Sequence, residues 1–129
     1  MVYDRRTFEA FERGVSRRGW AEAIKDREID HRSFKDTLVH ILNVHEVWMA
    51  AAAQEKLDIF KDPSRKKENV RSWSDLNRYR DRVWAGVDGL VAGLTEEKLK
   101  RRVAVPWFKG RYTVEDAFSQ SSFEQAHHI

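Results

Sequence analysis

Apolar residues recur along this chain at three- and four-residue steps over four stretches, the periodicity of helices that bury one face. In the first, from about Asp4 to about Ile24, Phe8, Phe11 and Val15 fall at i, i+3 and i+7 among arginines and glutamates. Gly14 and Gly19 weaken it, because glycine inside a helix costs about 1 kcal/mol relative to alanine. A polar connection, Lys25 to Arg32, follows. The second stretch opens on Ser33-Phe34-Lys35-Asp36, where a serine with a carboxylate three residues on predicts a capped N-terminus. Phe34, Leu38, Ile41, His45, Trp48 and Ala52 then step by fours and threes toward an end near Gln54.

From Glu55 to Arg71 the periodicity lapses. Asp62-Pro63-Ser64 and the charge run Arg65-Lys66-Lys67-Glu68 predict a long surface loop, with Ile59-Phe60 as its packed anchor. The third helix starts at Ser72 or Ser74, and Leu76, Tyr79, Val83, Val87 and Leu90 mark its buried stripe. Thr95-Glu96-Glu97-Lys98 opens a further short turn through about Leu99, and Val103 to Tyr112 reads as an extended segment and turn. The fourth helix opens at Thr113, with Asp116 as capping partner. Its pattern is still running at Ile129, which reads as a helix truncated at its C-terminal end.

Four amphipathic helices without a convincing set of strands predict an all-α four-helix bundle. At 129 residues the chain is one domain, sufficient for a single core. The longest apolar run, Val47 to Ala53, is far too short to cross a bilayer. The absence of cysteine excludes disulfides, thiolate metal sites and a cysteine nucleophile. With no apolar segment after the N-terminal charges, it points to a cytoplasmic protein. Charge changes the picture little. The net +3 is the difference between 24 bases and 21 acids, which describes a mixed, solvated surface and disfavours a nucleic-acid partner.

Chemistry enters on the fourth helix. Val114, Ala117, Ser121, Glu124 and His128 step by three and four, forming one seam that is apolar or small at first and ends in a carboxylate and an imidazole one turn apart. Polar groups on a core seam need partners or a metal, and Glu and His at i and i+4 can chelate one ion. Elsewhere, an isolated Glu-x-x-x-His pair usually does no more than stabilise a surface helix slightly. Helix two offers a third ligand, with His40 on one flank of its core arc and His45 on the other. Periodicity does not choose between them, and a histidine at a core edge is more often simply hydrogen-bonded, here to a backbone carbonyl or to Glu46. Three protein ligands leave coordination positions open, as in a catalytic site. His127 lies about 100° off the seam and joins the site only if the helix is turned. His31, in the polar connection, reads as surface. Trp48 and Trp84 read as core, and Trp107 as the mouth of a pocket. There is no glycine-rich phosphate loop, HExxH or G-x-S-x-G elbow.

Ser33 to Ile41 with Glu46-Val47-Trp48, then Ser74-Asp75-Leu76, Leu94 to Leu99 and Gly110 to Ala117, resemble the DinB/YfiT-like superfamily in order and spacing. The likeness runs from about Arg5 to the end of the chain. It implies a four-helix bundle, commonly a homodimer, holding a divalent metal through one histidine of helix two and an HxxxH on a later helix. The helix-two ligand maps onto His40. The HxxxH maps onto Glu124 to His128, with glutamate in the first place. The implied set is therefore His40, Glu124 and His128, two imidazoles and a carboxylate, which suits Zn, Ni, Mn or Fe(II). Some relatives are bacillithiol transferases or mycothiol-dependent isomerases. The resemblance accordingly implies a metal-dependent thiol S-transferase acting on a low-molecular-weight thiol and a small-molecule substrate. The alternatives are a non-catalytic or stress-response bundle with a structural or vestigial metal, and a basic nucleic-acid-binding bundle.

Overall fold

The computed structural model describes residues 2–27, 31–52, 63–104, 111–116, 119–120 and 125. Its helices are α1 (Val2–Ser16), α2 (Trp20–Ala23), α3 (Phe34–Ala52), α4 (Trp73–Ala92) and α5 (Glu96–Leu99). Strands β1 (Arg102–Ala104) and β2 (Arg111–Thr113) form an antiparallel pair in which Val103 faces Tyr112. Beyond them, positions 114–116, 119–120 and 125 are helical. The architecture is the predicted helical bundle, and the extended segment before the last helix is a small two-stranded ribbon.

Capping sets the helix starts. Ser33 Oγ accepts from the Asp36 amide at 3.0 Å, Ser72 Oγ from Asp75 at 3.1 Å and Thr95 Oγ1 from Lys98 at 3.2 Å. Thr113 and Asp116 cap reciprocally, each side chain accepting from the other's amide, at 3.1 and 2.9 Å. Ser72, not Ser74, is therefore the cap of the third predicted helix. A further backbone bond, Arg71 N–H to Asp75 Oδ2 at 3.0 Å, is the main reason the Asp75 carboxyl titrates below its usual range.

The first predicted helix is two. Gly19 stands at φ 88°, ψ 164°, a conformation open essentially only to glycine, and the chain breaks there before α2 begins. The predicted faces are nonetheless buried: Phe8 and Val15 on α1, and Leu76, Tyr79, Val83 and Val87 on α4. They close on α3, of which no described residue is exposed. The most extensive helix pairing is α3 with α4. Trp84 packs edge-on to Phe8, their ring centres 6.1 Å apart, and Val114 brings the last helical stretch into the same core. Among the described residues no helix is long and apolar enough to cross a membrane.

The connection from α3 to α4 departs from a plain surface loop. Its described part forms two 3₁₀ turns, Pro63–Arg65 and Lys67–Asn69, and buries Arg65 and Val70. Arg65 Nε donates to Glu46 Oε1 at 2.7 Å, Lys35 Nζ donates to the Lys67 carbonyl at 2.7 Å, and Arg82 donates to Ser64 Oγ at 2.7 Å. This arginine, read as surface in a charge run, is buried with its head on a carboxylate. The proposed Ile59-Phe60 anchor lies outside the described residues. Replacing Gly19 by alanine should cost about 1–3 kcal/mol from backbone strain alone, since no atom lies within 4 Å of the added methyl group. Denaturant unfolding at matched pH checks this; an unchanged midpoint would show that the break tolerates a side chain.

Candidate functional site

The two rival histidines of α3 have separated. His45 is wholly buried, its Nε2 2.6 Å from Gln125 Oε1 and its ring tilted against Trp84 at 5.1 Å. A carboxamide oxygen only accepts, so His45 Nε2 carries the proton. The partner is neither a backbone carbonyl nor Glu46, the two expected. Glu46 is engaged by Arg65, and the Tyr79 hydroxyl sits 3.2 Å from it while donating to Asn43 Oδ1 at 2.5 Å. Burial, with the Glu46 charge beside it, pushes the Tyr79 phenol above its ordinary range and keeps it a donor.

His40 is different. It is half-buried, one turn or so nearer the start of α3, and its ring lies flat on that of His31, with centres 4.0 Å apart and planes 23° from parallel. His31, expected at the surface, is half-buried as well. Stacking uses ring faces, whereas ring nitrogens offer their lone pairs in the ring plane, so the His31 contact does not itself use a His40 nitrogen. Glu124, His127 and His128 lie outside the described residues, as do Trp107 and Ser121. Among the described residues no three histidine or acidic groups gather closely enough to hold a metal ion.

Gln125 is the residue that sequence reasoning missed. It falls about 100° from Glu124 on an ideal helix, off the predicted seam, yet it is buried and reaches α3. A neutral amide carries no charge signal. The only clue was that a fully buried imidazole on α3 would require a polar partner from the facing helix.

A cleft of about 580 Å³ opens elsewhere, between α1 and α4, lined among others by Glu12, Arg80, Arg5, Trp73 and Trp84. Its charges largely answer one another. Buried Glu12 accepts from Arg80 at 2.8 Å, and Arg5 spans Asp88 at 2.5 Å and the face of Trp84 at 5.2 Å. Burial raises the Glu12 pKa, with Arg80 opposing the shift. Neither His40 nor His45 lines this cleft.

The His45–Gln125 bond should behave as a coupled pair. Gln125→Leu strands a buried ring nitrogen at a cost of about 1–3 kcal/mol, and the His45→Phe/Gln125→Leu double variant should lose less than the sum of the singles. Denaturant unfolding of the four proteins checks it; strictly additive losses would show no coupling.

No curated protein matches the chain. A family model does, over residues 5–129, nearly the whole length and including the segment that holds Glu124 and His128. This chain belongs to the DinB superfamily.

Proposed function

We propose that this bundle binds one divalent metal ion through His40, Glu124 and His128, and that the ion serves a thiol-dependent transfer reaction. The observation that carries the reading is the contrast between the two α3 histidines. His45 is wholly buried and hydrogen-bonded to Gln125, whereas His40 is half-buried and stacked on His31. An imidazole on a rigid helix, partly open to solvent, fits the donor chemistry of a borderline ion, and a second imidazole with a carboxylate completes a set suited to Zn, Ni, Mn or Fe(II). A half-buried position also lets a small molecule approach, which a wholly buried one would not.

With three protein ligands, the ion when bound would acidify a thiol or water in an open position. The chain's own part is to fix the ligands. α3 is held against α4 and the 63–71 segment through Glu46, Asn43 and Lys35, so that His40 projects from a helix with little freedom to shift. A low-molecular-weight thiol and a small electrophile are the proposed substrates, and a homodimer the proposed assembly.

A second reading has its own support. His45 is hydrogen-bonded within the core to Gln125, and a bundle could use His40 for structure in the same way. Elemental analysis of protein purified without added metal distinguishes the two. We expect bound divalent ion in the wild type and its loss in His40→Ala, with helicity unchanged by circular dichroism. Equal metal content in the two proteins, or none in either, would overturn the metal site.

A further inference from the structure

We infer that His31 is a positioning residue for the proposed site: its ring, stacked on His40, fixes the rotamer in which His40 meets the metal. The inference rests on His40 being a ligand, as proposed above, and assigns a role to a residue outside the implied ligand set.

The contact is built, not incidental. His31 precedes Arg32, whose φ of 68° is the left-handed conformation that side-chain-bearing residues rarely adopt. Such a turn persists only where its surroundings determine it. Here they do. The Arg27 amide donates to the Arg32 carbonyl at 2.5 Å, and the Ser33 amide to the His31 carbonyl at 2.8 Å. The Arg27 guanidinium lies over the Phe34 ring at 4.5 Å and reaches the Glu22 carboxylate at 2.7 Å, so it ties the end of α2 to the first residue of α3. Ser33 then caps α3. At this turn the His31 ring lies on that of His40.

The geometry separates positioning from ligation. Two rings lying 23° from parallel aim their in-plane lone pairs along separate, nearly parallel planes about a ring spacing apart. Such lone pairs do not converge on one ion at the roughly 2.0–2.1 Å that imidazole–zinc bonds require. A flat neighbour does restrict rotation of His40 about its side-chain bonds, and groups that orient a ligand typically govern metal affinity by about 10–100-fold.

The experiment measures Co(II) affinity, by competition with a chromophoric chelator, and the Co(II) absorption spectrum in wild type, His31→Ala, His31→Phe and His40→Ala. We expect His31→Ala to weaken binding about 10–100-fold. His31→Phe, which retains a flat ring but no nitrogen, should recover most of the loss and show the wild-type spectrum. Metal-free variants should keep wild-type helicity and thermal midpoint, which sets the effect apart from folding. Wild-type affinity in His31→Ala would overturn the inference while leaving the site standing. Equal losses in His31→Ala and His31→Phe, with an altered spectrum, would make His31 a ligand and overturn the positioning role. Unimpaired binding by His40→Ala would remove the site itself, and this inference with it.

Discussion

A helix with no exposed residue among those described must satisfy most of its polar side chains within the protein, and α3 carries several. This constraint organises the molecule. An unpaired polar group taken out of water costs on the order of 1–3 kcal/mol in proteins, comparable to the net contribution of several good contacts. The buried and half-buried polar residues of α3 therefore dictate something about the elements that pack on it. Asn43 and Glu46 call for the Tyr79 hydroxyl from α4. Glu46 also requires the Arg65 guanidinium, which brings the α3–α4 connection down onto the bundle. His45 needs an acceptor and finds it in Gln125, more than a hundred residues after α1 begins. The apolar stripes drive collapse, but they are tolerant of small rotations. The polar pairs are directional, and they select one register among those that the stripes allow.

The same constraint explains why the connections matter more than their composition suggests. The segment around Arg65 looked like solvated charge, and its lysines are indeed exposed. One arginine is not, because the half-buried Glu46 carboxylate on α3 is more stable with a cation than alone. On the other side, the turn through Arg32 adopts an unfavourable backbone conformation next to His31. The Arg27 and Ser33 amides bond the Arg32 and His31 carbonyls beside it, and the Arg27 guanidinium lies over Phe34 of α3. Both connections act on α3 side chains, Glu46 in one case and His40 in the other.

Much of the fold was legible in the sequence because its signals are local. Serine or threonine followed by a carboxylate or lysine located the starts of α3, α4 and α5 within a residue or two, and Thr113 with Asp116 did so for the last helix. The i, i+3, i+4 steps named Phe8, Leu38, Ile41, Leu76, Val83 and Val87, all of them buried. Even the break in the first helix was foreshadowed by Gly19, although spacing alone ran the helix through it. What escaped were features fixed by long-range partners. Arg65 is buried because of a residue 19 positions away, and Gln125 because of one 80 positions away. Neither has a local signature, since arginine in a charged loop and glutamine on a helix are ordinarily solvent-facing.

The histidines show the limit most clearly. On a helical wheel His40 and His45 flank one arc almost symmetrically, and no count of apolar neighbours ranks them. Their environments differ because different elements arrive on each side. The last helical stretch supplies an amide to His45, while the turn before α3 lays a ring face on His40. The bond to Gln125 fixes the tautomer and orientation of the buried His45 ring, whereas the stacked ring of His31 constrains the orientation of His40. The resemblance pointed to His40 through motif order alone. The packing distinguishes the two by surroundings alone: His45 is wholly buried with Gln125 on its ring nitrogen, and His40 is half-buried with the His31 ring on its face.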